Sequence, residues 1–383
     1  MTDDLLSKDH RAVGPGTIIG ILGGGQLARM LSLAGAPLGL HTHIYDTADY
    51  VPALPVSYDM TVAPFEDEAA LVAFAAKVDL VTFEFENVPA RTAEVLAAHV
   101  PVRPGPQALA VAQDRLTEKD FITKQAGAQT APYMAVDSVD DLVTALDAIG
   151  TPAVLKTRRM GYDGKGQVKL TADSNPAEAL DQIAHQSAIL EGFIPFEREL
   201  SVVLARSLDG TVRPFDVVEN IHRNHILSQT LAPALVDHTI AAEAQAIAAR
   251  IANALGYVGV LAVEFFLLPA SEGQTAAGRL LVNEIAPRVH NSGHWTIEGT
   301  YCSQFEQHMR AVAGLPLGDA AMRADAIMDN LVGDEMDQWP ALLDDPRAHL
   351  HIYGKRETRP GRKMGHVTRL YDLGTRPRPE QSS

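Results

Sequence analysis

Cysteine is almost absent from this chain, and long apolar runs are absent altogether. Cys302 is the only cysteine among 383 residues, so the sequence excludes an intramolecular disulfide framework and is typical of a reducing compartment. No apolar run approaches the roughly 18 residues that a membrane-spanning helix needs, and residues 1–16 lack the apolar core of a secretion signal. We therefore expect a soluble, cytoplasmic protein without a membrane partner.

Basic residues are also scarce relative to acidic ones. The chain has 32 lysines and arginines against 48 aspartates and glutamates, a formal net charge of −16. Nucleic acids and anionic membranes both require a broad basic surface, so the charge argues against either as a partner. Any anionic substrate must then be held by local basic clusters. The length is sufficient for two or three domains with cores of their own.

Two glutamates lie in neighbouring predicted strands. Residues 260–268 form an apolar run with Glu264 in its middle, and the segment that ends at Glu284 predicts an antiparallel partner. Buried carboxylates on one face of such a pair repel each other unless a cation lies between them. Mg²⁺ held by one or two carboxylates and by substrate phosphates is a common solution, and Asn283 offers a third oxygen ligand. The alternative is that each glutamate pairs with an arginine such as Arg288.

A lysine precedes a glycine-rich loop near the middle of the chain. Residues 153–168 predict a short strand that ends at Lys156, a loop containing Gly161, Gly164 and Gly166, and a second strand. Glycines allow backbone N–H groups to approach phosphate oxygens, and a lysine acts on them as a point charge. The pattern and the helix of a P-loop are missing. We therefore predict a flexible flap over a triphosphate, with a plain basic surface hairpin as the alternative.

The N-terminal segment contains a dinucleotide-binding fingerprint. Gly23, Gly25 and Ala28 match its spacing after a predicted strand, and Asp46 ends the next strand at about the required distance. Alone, this pattern predicts an NAD-dependent dehydrogenase. The same turn, however, offers helix N-terminal amides to any phosphate, and Gln26 lies in the first helical turn.

Five segments in this order resemble one family closely, and the resemblance covers about residues 16–370. The segments are residues 20–30, 82–88, 113–115, 161–167 and 283–296. Together they are similar to the N5-carboxyaminoimidazole ribonucleotide synthetases, the ATP-grasp carboxylases of purine biosynthesis. The dehydrogenase alternative leaves the glycine-rich flap and the glutamate pair without a purpose.

The resemblance implies a mixed α/β and α+β chain with an ATP-grasp fold. We expect a flexible N-terminus at 1–15, a Rossmann-like pre-ATP-grasp domain at 16–113 and an ATP-grasp domain at 114–315. A small C-terminal domain at 316–373 would pack back on the N-terminal domain, and residues 374–383 would form a flexible tail.

The implied activity is the ATP-dependent carboxylation of 5-aminoimidazole ribonucleotide with bicarbonate, through carboxyphosphate, in the biosynthesis of IMP. ATP and Mg²⁺ are the implied cofactors, and a homodimer is the implied assembly. Besides the dehydrogenase, two alternatives stay open. One is another ATP-grasp ligase, such as a formate-dependent glycinamide ribonucleotide transformylase. The other is a nucleotide-binding module without catalysis.

The resemblance also assigns roles to individual residues. For ATP they are Arg115, Lys156, Gly161, Tyr162, Asp163, Gly164, Lys165, Gly166, Gln167, Glu191, Gly192, Phe193, Ile194, Glu199, His222, Asn283 and Glu284. For the ribonucleotide they are Gly25, Gln26, Leu27, Glu84, Asn87, Lys355 and Arg362. The implied metal ligands are Glu264 and Glu284, and the implied catalytic residues are Asp163, Arg288 and His290.

Some of these residues also have simpler explanations. Arg288 can hold an oxyanion, and Asp163 can receive or orient a proton of the attacking amine. Asp163 is otherwise an ordinary turn residue before a glycine. Lys355 and Arg362 otherwise belong to a solvated charged loop, and His222 is one of 14 histidines.

Overall fold

The structure is a computed structural model that describes residues 13–161, 165–271 and 275–377. Three of the predicted site residues, Tyr162, Asp163 and Gly164, lie outside the described residues. Three β-sheets with helices packed on them form the described part of the chain, and the predicted fold class is confirmed.

The N-terminal unit is a parallel sheet with strand order β3-β2-β1-β4. Leu22 of β1 and Phe83 of the neighbouring edge strand β4 are paired at the carboxyl ends of these strands, so the glycine turn after β1 lies beside the segment after β4. The ends of parallel strands are where open α/β sheets bind ligands. The elements are β1 (Ile18–Leu22), α1 (Gln26–Gly35), β2 (His41–Asp46), β3 (Asp59–Val62), α2 (Glu68–Ala75), β4 (Leu80–Phe83), α3 (Ala90–Ala97) and α4 (Pro106–Ala112).

A helix that begins at the end of this unit changes its hydrogen-bond pattern partway along. The sequence predicts one helix over residues 115–127, but the α-helix α5 (Arg115–Asp120) is followed by a π-helical turn, Phe121–Gln125. The side chain of Asp114 caps α5 by accepting from the amides of Leu116 and Thr117 at 3.1 Å each. Charged side chains in α5 are buried, which places this helix inside the fold rather than on its surface.

A small antiparallel sheet of order β5-β8-β6-β7 contains the predicted flap. Its strands β6 and β7 pair with each other, which confirms the strand–loop–strand interpretation of residues 153–168. The helix predicted over residues 176–186 ends at Gln182, since Ala184 and His185 both have a left-handed φ of 52°. The elements are β5 (Tyr133–Val136), α6 (Val139–Ile149), β6 (Ala153–Thr157), β7 (Gln167–Leu170), α7 (Pro176–Gln182) and β8 (Ala188–Gly192).

The third sheet is the largest. Its strand order is β14-β13-β9-β11-β12-β15-β17-β16, and β10 pairs with β9. The predicted antiparallel pairing of β13 with β14 is confirmed. No helix in the described ranges has both the length and the apolarity to cross a membrane. The elements are β9 (Arg198–Arg206), β10 (Val212–Pro214), β11 (Val218–Arg223), β12 (Ile226–Ala232), α8 (His238–Ala254), β13 (Gly259–Leu267), α9 (Ala276–Arg279), β14 (Leu280–Ala286), α10 (Thr296–Gly299), α11 (Gln304–Val312), β15 (Asp325–Val332), α12 (Trp339–Leu342), β16 (Ala348–Ile352) and β17 (Lys363–Tyr371).

The C-terminal strands do more than pack on the N-terminal unit. β15 pairs with β12, so the large sheet continues across the predicted boundary at residue 315. The C-terminal residues also contact the N-terminal unit. The hydroxyl of Tyr50 donates to the Gly354 carbonyl at 3.2 Å, and the Arg356 guanidinium lies over the Tyr50 ring. The C-terminal strands are therefore attached both by hydrogen bonds of the large sheet and by contacts with the N-terminal unit, while the predicted boundary at residue 315 stays a prediction.

The N-terminal unit is fixed to the large sheet by an apolar helix contact. Met30 and Leu31 of α1 share a core with Met309 and Val312 of α11. The helices approach so closely that a Cβ at Gly35 would lie 2.8 Å from the Met309 methyl carbon. This packing holds the glycine turn over the open face of the large sheet and so creates a cleft.

Candidate active site

A cleft of about 1020 Å³ lies where the three sheets meet. All three units contribute to its lining. The lining residues that the sequence predicted are Gln26, Leu27, Glu84, Asn87, Arg115, Lys156, Gly161, Gln167, Glu191, Gly192, Phe193, Ile194, Glu199, His222, Glu264, Asn283, Glu284, Arg288 and His290. Five described residues of the prediction are not part of the lining: Gly25, Lys165, Gly166, Lys355 and Arg362.

Backbone amides of the glycine turn after β1 donate hydrogen bonds to other residues of the chain. Both carboxylate oxygens of Glu84 accept hydrogen bonds at the start of α1, one from the amide of Gly25 and the other from the amide of Ala28 at 2.9 Å. A Cβ at Gly25 would lie 2.5 Å from the Glu84 carboxylate, so only glycine fits this approach. Because the carboxylate occupies these amides, Glu84 shapes the turn, and its predicted contact with a ribonucleotide stays a prediction.

Asp46 closes the same turn from the other side. Its carboxylate accepts from the amide of Gly24 at 2.8 Å, and the amide of Gly23 donates to the Tyr45 carbonyl at 2.9 Å. A dinucleotide needs both a free acidic residue at this strand end and free amides in the turn. Neither requirement is met, so the geometry argues against the dehydrogenase alternative.

A β-bulge directs two consecutive side chains of β14 into the cleft. Glu264 pairs with Glu284 across the two strands, but the next pair is Phe265 with Val282, so Asn283 is the extra residue of the bulge. Side chains normally alternate between the two faces of a strand. A bulge re-aims them, which explains why Asn283 and Glu284 both line the cleft.

The two glutamates face one side of the sheet with different partners. The carboxylate of Glu284 accepts from the Arg115 guanidinium at 2.9 Å, and that of Glu264 lies 3.2 Å from Nε2 of His290. Burial alone would raise the pKa of Glu264, but the hydrogen bond from His290 together with the charges around it lowers that pKa. The Glu264 carboxylate is therefore suited to be an anion beside a cation.

The same residues fit a magnesium ion that also binds phosphates. Among the described residues, no cluster of three or more histidine, cysteine, aspartate or glutamate side chains could hold a metal. Two carboxylates and one amide oxygen are an incomplete ligand set for Mg²⁺, and this ion is usually completed by water and substrate phosphates. The donor set therefore suits a metal that arrives with a nucleotide.

Glu191 lies at the centre of a buried charge network. Its Oε2 is 2.9 Å from the ammonium of Lys156 and 3.5 Å from that of Lys119, and Lys119 also donates to the Asn283 carbonyl at 2.7 Å. Burial would raise the pKa of Glu191, but the two lysines bring it down to about 2. The other oxygen, Oε1, is buried without a hydrogen-bond partner among the described residues. An orphaned acceptor of this kind at a cleft wall is free for a ligand donor.

Lys119 and Glu118 are buried beside the site, and the sequence did not predict them as site residues. Both side chains are at most 2 % exposed, and the Glu118 carboxylate accepts from the amide of Ile285 at 2.6 Å. Burial, with the charge of Glu284 next, raises the pKa of Glu118 to about 8. Nothing in a helix segment with several charges indicates that its middle pair is buried, because the backbone partners, Asn283 and Ile285, lie more than 150 positions away in the chain.

Arg288 is held by an acidic residue of the N-terminal unit. Its guanidinium makes a two-pronged ion pair with Glu86, through Nε and through Nη2 at 3.0 Å. Burial would raise the pKa of Glu86, but the Arg288 charge brings it down to about 2. Glu86 follows β4 in the same segment as Asn87, and the sequence analysis did not select it.

Part of the cleft lining is aromatic. The rings of Phe196 and Phe266 stack with centroids 4.7 Å apart, and both line the cleft, as does Phe193. Nδ1 of His222 lies 3.0 Å from the Glu199 carboxylate. Stacked rings beside a polar pair suit a flat base and the hydroxyls of a sugar.

The basic C-terminal patch lies next to the lining rather than in it. The ammonium of Lys355 donates to the carbonyl of Lys363, which does line the cleft, at 2.7 Å. Burial lowers the pKa of Lys355 to about 8, with the charge of Arg362 next among the causes and that of Glu84 acting against it. Lys355, one of the two predicted anchors, therefore interacts electrostatically both with the other anchor, Arg362, and with Glu84 at the glycine turn.

The fold and the cleft define an ATP-grasp protein with a pre-ATP-grasp unit and a further C-terminal unit. Residues 17–113 match the ribonucleotide synthetase preATP-grasp domain, residues 121–305 match the ATP-grasp domain, and residues 326–373 match the phosphoribosylaminoimidazole carboxylase C-terminal domain. The N5-carboxyaminoimidazole ribonucleotide synthase of Brucella melitensis is 48% identical over 94% of this chain and 98% of its own length. The chain belongs to the N5-carboxyaminoimidazole ribonucleotide synthase family.

Solved structures of relatives agree with this assignment. A Staphylococcus aureus N5-carboxyaminoimidazole synthetase in complex with ADP is 36% identical with a TM-score of 0.88, covering 95% of each chain. An Aspergillus clavatus N5-carboxyaminoimidazole synthase in complex with ADP and 5-aminoimidazole ribonucleotide is 31% identical with a TM-score of 0.85, covering 93% of this chain and 94% of its own. The family assignment leaves the dehydrogenase alternative without support.

Proposed function

We propose that this chain catalyses the ATP-dependent carboxylation of 5-aminoimidazole ribonucleotide with bicarbonate, giving N5-carboxyaminoimidazole ribonucleotide, ADP and phosphate. One observation carries the proposal. A single cleft joins the glycine turn of Gln26 and Leu27, the acidic pair Glu264 and Glu284, and the cation Arg288. Relatives of this fold have been crystallised with ADP and with ADP plus the aminoimidazole ribonucleotide.

The residues around the acidic pair would bind the nucleotide. Lys156 and the glycine-rich flap would contact the phosphates, while the stacked rings of Phe196 and Phe266 and the acceptor Glu191 suit the base. Glu264, Glu284 and Asn283 would hold Mg²⁺, which would supply positive charge to offset that of the phosphates.

Two transfers then account for the products. An oxygen of bicarbonate attacks the γ-phosphorus, the bond to the β-phosphate oxygen breaks, and ADP leaves. The amine nitrogen of the ribonucleotide next attacks the carboxyl carbon of carboxyphosphate, phosphate leaves, and the nitrogen loses a proton. Arg288 would hold the carboxylate oxygens beside His290, and Asp163 would receive or orient the proton.

The flap has a protective role in this scheme. Carboxyphosphate hydrolyses readily in water, so the site must exclude solvent between the two transfers. The flap joins β6, which carries Lys156, to β7, and the described residues Gly161 and Gln167 beside its tip line the cleft. A loop that closes when nucleotide binds would protect the intermediate until the amine attacks.

The ribonucleotide phosphate would lie between the glycine turn and the C-terminal patch. Lys355 and Arg362 would supply positive charge there, since Lys355 is bonded to the lining residue Lys363 and interacts electrostatically with Glu84. The location of the enzyme in the cytoplasm and its assembly as a homodimer belong to the same proposal. Light scattering of the purified chain tests the assembly directly.

Labelled bicarbonate tests the reaction. With [¹³C,¹⁸O₃]bicarbonate, Mg-ATP and the ribonucleotide, we expect a ¹³C carbamate signal and one ¹⁸O atom in each phosphate released, because a bicarbonate oxygen attacks phosphorus. Replacing bicarbonate by formate should give no product. Formylation of glycinamide ribonucleotide with formate would instead favour the transformylase alternative, and nucleotide binding without turnover would favour a non-catalytic module.

A further inference from the structure

A row of buried polar side chains crosses the centre of the large sheet. The hydroxyl of Thr230 donates to Oδ1 of Asn220 at 3.1 Å, and the amide of Asn220 donates to Oγ of Ser201 at 2.9 Å. The hydroxyl of Ser201 donates in turn to Oγ of Ser292 at 2.8 Å. Ser201, Thr230 and Ser292 are 0 % exposed, and Asn220 is 5 % exposed. Polar groups in a sheet interior are costly unless they are satisfied, so this row is a complete hydrogen-bonded unit.

The row ends at His290 and fixes its tautomer. Oγ of Ser292 lies 2.8 Å from Nδ1 of His290, and the backbone amide of Ser292 lies 3.3 Å from the same nitrogen. A backbone N–H can only donate, so Nδ1 is an acceptor and carries no proton. The neutral ring then has its proton on Nε2, which lies 3.2 Å from Oε1 of Glu264.

Every hydrogen bond of the row is donated in the same direction, towards the Glu264 carboxylate. Donors aligned in this way polarise one another, and the effect is largest where the last acceptor is an anion. The backbone of His290 is fixed separately, because its amide and carbonyl are bonded to the Gln304 side chain at 2.9 and 2.7 Å. Orientation of the imidazole therefore depends on Ser292, whereas placement of the backbone does not.

We propose that Ser292, Ser201 and Asn220 are positioning residues that hold His290 as an Nε2–H donor and thereby orient the Glu264 carboxylate. The kinetic part of this inference depends on the proposed function, since it takes the cleft to be the site of carboxylation. The tautomer does not depend on it, because it follows from the hydrogen bonds alone. Outer partners of this kind orient a site and are costly to remove.

Imidazole NMR of the full chain tests the tautomer without substrate or metal. In protein labelled with ¹⁵N in the histidine rings, the signal of His290 is the one lost in His290→Gln. We expect the correlation pattern of a neutral ring protonated at Nε2. A ring protonated at Nδ1 would overturn the proposal whether or not the chain proves to be a carboxylase.

Steady-state kinetics test the positioning role. Ser292→Ala keeps the hydrogen bonds between Gln304 and the backbone of His290. It should lower kcat about tenfold with an unchanged KM for ATP, as expected when a reacting group is misaligned. Ser201→Ala should cause a smaller loss of the same kind. Ser207→Ala is the matched control, because Ser207 is also buried, just after the strand that carries Ser201, but bonds to Asp209 instead.

The outcomes separate the two proposals. A kcat for Ser292→Ala within twofold of the parent, or an equal loss in Ser207→Ala, would contradict the positioning role. A parent chain that binds ATP without carboxylating the ribonucleotide would contradict the proposed function, and the NMR result would still decide the tautomer.

Discussion

Glu86 and Arg288 form a two-pronged ion pair between the N-terminal unit and the strand end of the large sheet, although they lie 202 positions apart in the chain. The pair therefore joins the unit expected to bind the ribonucleotide to the residue expected to hold bicarbonate. Two parallel hydrogen bonds fix the plane of a guanidinium, so Glu86 determines how Arg288 faces the cleft.

Replacing Glu86 should disturb both stability and turnover. Glu86→Gln leaves the Arg288 charge buried without its carboxylate, and we expect a loss of about 3 kcal/mol in the free energy of unfolding. The folded pKa of about 2 lies below the unfolded value, so the contribution of the pair is complete above about pH 4.3 and is lost between that pH and about pH 2. Chemical denaturation at pH 7 measures it, with the exposed Glu94→Gln as control. A change below about 0.5 kcal/mol would contradict this role.

Removing one charge of the acidic pair should abolish turnover. Glu284→Gln keeps the size of the side chain but weakens its hold on a divalent cation, and it also frees Arg115. We expect less than about a tenth of the parental ATP turnover, with a weaker dependence on Mg²⁺ concentration. Glu306→Gln, which changes an i,i+4 pair with Arg310, is a control that should retain activity. Activity above that limit in Glu284→Gln would remove the glutamate from the metal site.

The C-terminal patch should contribute to the binding of the ribonucleotide and not to that of ATP. Arg362→Ala removes a charge beside the predicted phosphate anchor, and we expect about a tenfold rise in the KM for the ribonucleotide with a KM for ATP that stays nearly constant. Arg347→Ala provides the control, since Arg347 pairs with Asp345 in the same C-terminal unit. An equal loss for both substrates in Arg362→Ala would indicate a folding role instead.

His308 should make the stability of the chain depend on pH. Its Nδ1 accepts from the Val260 amide at 3.1 Å and its Nε2 lies 2.8 Å from the Thr82 hydroxyl, so the buried neutral ring joins the N-terminal unit to the large sheet. Burial lowers the pKa of His308 to about 3. Below about pH 6.5 the unfolded chain takes up a proton that the folded chain does not. Stability from the neutral ring is therefore complete above about pH 6.5 and falls from there to about pH 3.

The slope is about 1.4 kcal/mol per pH unit for one such group. His294 and His366 are also buried with lowered pKa values, so the difference between the parent and His308→Gln isolates His308. Denaturant titrations from pH 7 to pH 4 measure this difference. Parallel curves for the parent and His308→Gln would show that the ring is not held neutral.

Local patterns allowed the strands of the site to be predicted, but its charge pairs could not be. Alternation and apolar runs predicted β13, β14 and the flap strands, because these signals lie within short segments. The bulge at Asn283 depends on how β14 pairs with β13, which no residue pattern within β14 shows. The burial of Lys119 depends on Asn283, 164 positions away in the chain. Residue types alone also did not select Glu86, since a glutamate after a strand is usually solvated.

The fingerprint at the N-terminus shows the same limit. Its glycine spacing is that of a dinucleotide site, yet Gly25 is required by the approach of Glu84, a residue 59 positions away. The joining of β15 to β12 was also not visible, because strand pairing across unit boundaries has no local signal. The predicted boundaries at residues 113 and 315 and the roles of the individual site residues stay predictions.

Phosphate release from Mg-ATP with bicarbonate, measured with and without 5-aminoimidazole ribonucleotide, tests the central claim most directly. Consumption of the ribonucleotide is followed in the same reaction. We expect strong stimulation by the ribonucleotide, one phosphate for each ribonucleotide consumed, and no consumption without bicarbonate. ATP turnover that does not respond to the ribonucleotide, or consumption that continues without bicarbonate, would contradict the assignment of this chain as a carboxylase.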